Sequence, residues 1–277
     1  MSGRIVVGVD GSASAAAALG WAASEARLRG AELVACSVVE RRRGHDDDVS
    51  DSAATLALEE SAGGYPTTAL TRHGDPMMEL LAACDDADLL VVGSRGRGRL
   101  AGSLLGSVSR ACVTHARCPV VVVGHPPATV PFGRVIAGVD GSRHARAALV
   151  VAAQEARLRG ATLHVLHAVY WDNIGTELIV PTPEQLQEWG RKLVDAELAA
   201  TGVDGEPTVV AGHPGETLVQ HSEDADLLVL GTRGHNPAAS LLLGSVSEHC
   251  VRHARCPVLV TQADRQHRDD HAQASSA

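Results

Sequence analysis

The stretch Asp88-Leu-Leu-Val-Val-Gly-Ser-Arg-Gly96 is followed, nine residues on, by Gly106-Ser-Val-Ser109. A short unbroken aliphatic run fits a strand buried on both faces, as in a parallel sheet. Glycines just past such a strand, then Gly-Ser at a helix start, let phosphate meet backbone N–H groups with no Cβ in the way. The phrase returns as Asp226-Leu-Leu-Val-Leu-Gly-Thr-Arg-Gly234, nine residues, and Gly244-Ser-Val-Ser247. Two such sites are implied, or one working site and a relic.

Other stretches repeat in the same order. Ile5-Val-Val-Gly-Val-Asp-Gly-Ser12 matches Val135-Ile-Ala-Gly-Val-Asp-Gly-Ser142. Glu25-Ala-Arg-Leu-Arg-Gly-Ala31 matches Glu155-Ala-Arg-Leu-Arg-Gly-Ala161, and His115-Ala-Arg-Cys-Pro-Val120 matches His253-Ala-Arg-Cys-Pro-Val258. The offset is 130 residues between Asp10 and Asp140 but 138 between Gly93 and Gly231, so the second half carries eight extra residues. The irregular segment from Trp171 to Pro183 is the expected place. A repeat this long is a duplicated domain. The expected boundaries are 1–124, a proline-containing linker at 125–133, a second domain at 134–263, and a polar, disordered tail at 264–277.

The 277 residues suit two domains, and the net charge of −9 argues against a nucleic-acid binder. No apolar run is long enough for a membrane span, and the first strand starts too early for a signal peptide, so a cytoplasmic chain is expected. Aromatics make up only 2% of the chain, which leaves Val, Leu and Ala to build the core. Of six cysteines, Cys112, Cys118, Cys250 and Cys256 recur at matching places and read as packing positions. Lys192 is the only lysine and sits in Gly190-Arg-Lys-Leu193, which excludes a Walker A loop.

Each half alternates strand and helix. In the first, strands are predicted at Arg4–Val9, Glu32–Val39, Thr67–Thr71, Asp88–Val92 and Pro119–Val123. Helices are predicted at Ala13–Arg29 (closed by Gly30), Asp51–Ser61, Pro76–Cys84 and Val108–Ala116 (capped by Ser107). The fold class is therefore α/β: two doubly wound five-stranded parallel sheets covered by helices on both faces, with ligands at the carboxyl ends of the strands.

On the opening Gly-Val-Asp-Gly-Ser, the glycine phrase and the closing His-Ala-Arg-Cys-Pro-Val, in that order and each present twice, the chain resembles the universal stress protein family in its tandem, ATP-binding form. The resemblance covers about residues 3–124 and 134–262. It implies strand order 3-2-1-4-5 in each half and pairing of the halves through their last strands as a pseudo-dimer, with a further homodimer left open. It implies ATP as ligand, Mg²⁺ arriving with the phosphates, and a protein partner that the sequence does not name. By matching position, Gly8, Asp10, Val39, Gly138, Asp140 and Val169 fall near adenine and ribose. Gly93, Arg95, Gly96, Arg97, Gly98, Gly106, Ser107, Val108 and Ser109 form the phosphate and ribose shell of site one. Gly231, Arg233, Gly234, Gly244, Ser245, Val246 and Ser247 form that of site two.

Helix N–H groups capped by Ser107 and Ser245 would face the anion, and an Asp after strand one can accept ribose hydroxyls. Asp10 and Asp140 read equally as residues of a strand-to-helix turn. Site one is the more basic: Arg95, Arg97, Arg99 and Arg110 stand against Arg233, His235 and Glu248. Tighter ATP binding at site one is expected, by about 1 kcal/mol for partly exposed charges. Ser245-Val-Ser-Glu248 also reads as a capping box.

No metal site is expected. His249, Cys250, His253 and Cys256 come closest, but His253 and Cys256 repeat His115 and Cys118. His45-Asp-Asp-Asp48 reads as an acidic loop. No nucleophile–base motif is visible, so an ATP-binding regulatory module is expected, with a slow ATPase or nucleotide-dependent transferase as the alternative. An NAD-binding Rossmann reading fails because its glycines should follow the first strand.

Overall fold

A computed structural model describes residues 3–39, 63–96, 105–126, 130–170, 181–234 and 243–263. The predicted helix Asp51–Ser61, part of the linker and the tail lie outside them. The chain divides into two compact units, 1–129 with 251–260, and 130–250 with 261–277.

In the first unit, strands β1 (Arg4–Val9), β2 (Glu32–Val39), β3 (Thr67–His73), β4 (Leu89–Gly93) and β5 (Val120–Val123) alternate with helices α1 (Ala13–Arg29), α2 (Pro76–Ala83) and α3 (Ser107–His115). The strands lie parallel in the order β3-β2-β1-β4-β5. The expected order therefore holds in this half. Val258–Val260 runs antiparallel along Val120–Val122 within the same unit. Strand β3 runs two residues beyond the expected Thr71 because its register with β2 continues to Val39↔His73.

The second unit holds β6 (Arg134–Gly138), β7 (Thr162–Val169), β8 (Glu206–Ala211) and β9 (Leu227–Gly231). Its helices are α4 (Arg143–Arg159), α5 (Pro183–Thr201), α6 (Pro214–His221) and α7 (Ser245–His253); the last strand of the chain is β10 (Val258–Thr261). Strands β9-β6-β7-β8 are parallel neighbours in that order.

Local chemistry explains the elements. Ser12 and Ser142 cap α1 and α4 by accepting from the N–H of Ala15 and Ala145, each at 3.2 Å. Gly30 and Gly160 close the same helices at φ 61° and 60°, where a Cβ would be strained. Asp75 caps α2 through Met78 N–H at 3.0 Å, with Pro76 in the first turn. All five residues of β4 and of β9 are buried, which is why these strands read as unbroken aliphatic runs. Ile5, Leu33, Leu90, Ile136, Leu149 and Leu227 are fully enclosed, and each contributes roughly 1.5–3 kcal/mol by burial. Trp21 on α1 is buried as well.

At the amino edge of the second sheet, Arg134 pairs with Asp224 at 2.7 Å, and His164 Nδ1 lies 3.5 Å from Glu206. The matching residues around Arg4 in the first repeat are Val34, where the second has His164, and Ala83, where it has His221. Burial first, and the Arg134 guanidinium second, hold both imidazoles below their ordinary value of 6.5. Glu206 opposes this at His164, and Asp224 at both. The native state thus refuses protons that the unfolded chain accepts, so stability is full above about pH 6.5 and falls as pH drops through the lowered values. Urea unfolding at about pH 7.5 and about pH 5.5 checks this. His164→Val with His221→Ala is expected to flatten the dependence, by up to ~1.4 kcal/mol per pH unit for each histidine.

Candidate functional site

In each unit the turn after the first strand meets the glycine phrase at the carboxyl ends of the strands, and the ground between the two is the candidate crevice. In the first, the chain leaves β1 at Asp10 and turns through Gly11, whose φ of 77° favours glycine. Asp10 Oδ1 accepts from Ser12 N–H at 2.9 Å, a tight Asx turn feeding the α1 cap. The other oxygen faces the glycine phrase: a Cβ at Gly96 would lie 2.6 Å from Asp10 Oδ2. The turn reading of Asp10 therefore holds on one oxygen, and the other lies against the glycine phrase.

The loop after β4 is fastened to the first turn of α1. Ser14 Oγ donates to the Arg95 carbonyl in a short hydrogen bond, and Ser12 Oγ reaches the same oxygen at 3.3 Å. A Cβ at Gly93 would meet the Ser14 carbonyl carbon at 2.7 Å, so this glycine is demanded by the helix that crosses it. The loop closes on itself where Gly106 N–H donates to Ser94 O at 2.8 Å. Ser109 is buried, and its hydroxyl donates to Gly93 O at 2.6 Å. Arg95 and Gly96 are exposed at the rim.

The helix cap differs from expectation. Gly106, and not Ser107, is the N-cap of α3, and it makes no side-chain cap bond. The first helical bond runs from Arg110 N–H to Gly106 O at 3.0 Å. Ser107 is thus the first helical residue. The same correction applies to Ser245: Glu248 N–H donates to Gly244 O at 2.8 Å, so Gly244 takes the cap position and Ser245–Glu248 is not framed as a capping box. The physical reason is that loop closure by the glycine N–H already sets the chain at extended φ and ψ (−68°, 153° at Gly106), one residue before the serine. The cap that results carries no side chain into the crevice.

The second crevice repeats this arrangement. Asp140 Oδ1 accepts from Ser142 N–H at 2.9 Å, and a Cβ at Gly234 would lie 2.5 Å from Asp140 Oδ2. Gly244 N–H donates to Thr232 O at 2.8 Å, and Ser247 Oγ to Gly231 O at 2.7 Å. His144 stands where the first repeat has Ser14, and a Cβ at Gly231 would meet its carbonyl carbon at 2.6 Å.

The structure thus brings together Asp10, Gly93, Arg95, Gly96, Gly106, Ser107, Val108 and Ser109, and in the second unit Asp140, Gly231, Arg233, Gly234, Gly244, Ser245, Val246 and Ser247. Arg97 and Gly98 lie outside the described residues. Gly8 and Gly138 serve packing, since a Cβ would meet Leu80 at 2.9 Å and Leu230 at 2.6 Å. Val39 and Val169 end the neighbouring strands; their carbonyls accept from Gly74 and Gly212 N–H at 3.1 and 3.0 Å. Sequence reasoning missed Ser12 and Ser14 as loop fasteners. The signal was present in Asp-Gly-Ser-x-Ser, but the partner, a backbone carbonyl some 80 residues away, leaves no mark on the sequence.

The arrangement suits an anion beside a sugar. The first turn of α3 presents its amides without a side-chain cap, and the glycine phrase that leads into it lies against the Asp10 carboxylate, which can accept hydrogen bonds from hydroxyls. The cysteines offer no nucleophile: all six are buried, and burial pushes the Cys36 thiol up to about 11 and Cys112 up to about 12. Among the described residues, no helix is long and apolar enough to cross a membrane.

Comparison with known proteins agrees with this architecture. Universal stress protein Rv2623 of Mycobacterium tuberculosis strain H37Rv is 32% identical over 286 residues, covering 93% of this chain and 96% of that one. Universal stress protein Rv2005c of the same strain is 30% identical over 293 residues, with 93% and 96% coverage. A solved universal stress protein from Archaeoglobus fulgidus DSM 4304 superposes with a TM-score of 0.70 at 22% identity, covering 95% of this chain and 99% of that one, and so shares its fold. The model of the universal stress protein family matches twice, over residues 1–124 and 131–262, and the chain belongs to that family.

Proposed function

We propose that each repeat binds one ATP and that the protein is a nucleotide-dependent regulatory module of the cytoplasm, passing its bound state to a protein partner. The triphosphate rests on the glycine loop and the open first turn of α3 or α7. Asp10 or Asp140 takes ribose hydroxyls through Oδ2. Val39 and Val169 lie toward the base, and Mg²⁺ comes with the phosphates. The two repeats act as a pseudo-dimer.

The observation that carries this reading is the glycine N-cap, present twice. Gly106 and Gly244 open their helices without a capping side chain of their own, and the same glycine phrases lie against a carboxylate at Gly96 and Gly234. Such an end is electropositive and open, which is what a polyphosphate requires.

Calorimetric titration tests it. Gly106→Ala is expected to keep the fold, because the nearest atoms to its new Cβ stand 3.6 Å away. Its stability should stay within about 1 kcal/mol of the parent. ATP stoichiometry is expected to fall from two per chain to one, with the affected site weakened about tenfold or more. Gly244→Ala is expected to do the same at the other site, where neighbours at 3.3 Å must shift slightly. Arg110 near the start of α3, where the second repeat has Glu248, makes the first the tighter of the two. Unchanged stoichiometry in both variants would sink the assignment. Steady ATP turnover, lost in Asp10→Ala with Asp140→Ala, would move it to a hydrolase.

A further inference from the structure

The carboxyl edge of the second sheet presents four strand ends in spatial order: β9, β6, β7 and β8. The glycine phrase follows β9, Asp140 follows β6, Tyr170 follows β7 directly, and His213 follows β8 as the residue before α6. At the usual interstrand spacing the edge spans roughly 14 Å from β9 to β8. Phosphate loop, carboxylate and aromatic rings therefore stand in the order in which a nucleoside triphosphate carries phosphates, sugar and base.

The last two positions carry rings that touch. Tyr170 and His213 have centroids 3.9 Å apart with planes tilted by 34°. Tyr170 is 45% exposed, and His213 is exposed as well. The backbones beneath them are tied by Gly212 N–H donating to Val169 O at 3.0 Å. A ring nitrogen of His167 at 2.8 Å from Val139 O ties the same strand to the end of β6, next to Asp140.

This pair is peculiar to the second repeat. At the place of His213 the first repeat has Asp75, which caps α2 through Met78 N–H at 3.0 Å. At the place of Tyr170 it has Glu40. His213 makes no side-chain cap bond at α6, so the second repeat gives up a helix cap and gains an exposed ring pair. In a chain with only two tyrosines, three tryptophans and one phenylalanine, one of the two tyrosines stands on the ligand edge.

We propose that the Tyr170–His213 pair is a base-stacking platform, which makes the second crevice selective for ligands bearing an aromatic base while the first reads mainly phosphate. The proposal rests on the nucleotide-binding reading above and assigns within it the residues that separate the two sites. Aromatic bases stack on exposed side-chain rings without regard to hydrogen-bond pattern, so the platform grips the base face and leaves its edges unread.

The test uses the full chain carrying Gly106→Ala, so that calorimetry reports the second crevice, with ATP and inorganic triphosphate as the two probes. Tyr170→Ala and His213→Asp are added singly; the aspartate restores the capping residue of the first repeat. Each is expected to weaken ATP about tenfold while triphosphate stays within about twofold. Tyr170→Phe keeps the ring and is expected to keep the ATP affinity, which separates stacking from folding. ATP affinity unchanged in both Tyr170→Ala and His213→Asp overturns the platform. So does an equal loss of ATP and triphosphate, which would place the effect on the phosphate loop. A parent that binds neither probe at this crevice overturns the nucleotide reading itself, and the platform with it.

Discussion

Gly231→Ala is expected to destabilise the protein by about 2–4 kcal/mol, with a matching loss in the urea unfolding midpoint. The added methyl would sit 2.6 Å from the His144 carbonyl carbon, 2.7 Å from its oxygen and 2.8 Å from its Cβ. Two of those three atoms are backbone, so no rotamer change relieves the contact. Neither side can yield easily. Gly231 ends a buried strand and its carbonyl accepts from Ser247 Oγ at 2.7 Å, while His144 lies in the first turn of a helix capped by Ser142. Against this, alanine reduces the entropy of the unfolded chain by only about 0.4–1 kcal/mol. Gly93→Ala should behave alike, with Ser14 backbone atoms at 2.7 and 2.8 Å. A midpoint unmoved in both variants would refute the close helix crossing. The contrast with Gly106→Ala is the sharper point: one glycine of the phrase is demanded by the scaffold, and the other has room for a methyl.

Arg146→Ala is the second large effect, expected at about 2 kcal/mol. Arg146 on α4 donates twice to Glu197 on α5, Nε to Oε2 at 2.9 Å and Nη2 to Oε1 at 2.7 Å. Their side chains are 46% and 4% exposed, so the arginine is what connects a buried carboxylate to solvent. Its guanidinium is held above the ordinary arginine range by hydrogen bonding to Glu197 and by its charge. Removing a partner from a buried pair costs about 3–5 kcal/mol, and the figure here is lower because water reaches the arginine end. Adding Glu197→Leu to Arg146→Ala is expected to recover most of the loss. A double variant as unstable as the single one would show that the pair is not the source.

Much of the fold was legible because burial on both faces forces an unbroken aliphatic run, and β4 and β9 announce themselves that way. Gly30 was legible as a helix stop because only glycine takes its left-handed conformation cheaply. The cap at Ser107 was misplaced by one residue because the preference of serine for caps is local, whereas the cap at Gly106 is set by a bond from its N–H to Ser94 O across the loop. The turn at Asp10 was legible in Asp-Gly-Ser, while the approach of its second oxygen to Gly96 was not, because nothing in the sequence marks which loop crosses the turn. Ser14 was invisible as a fastener because its acceptor is a main-chain carbonyl, which every residue has.

The split within Asp10 and Asp140 bears on how such a pocket can change over time. One atom of each carboxylate holds the bend that feeds the next helix, and the other lies against the glycine phrase. Replacing either aspartate therefore disturbs two segments at once, so a lineage can vary this position only at the expense of both the bend and the loop beside it.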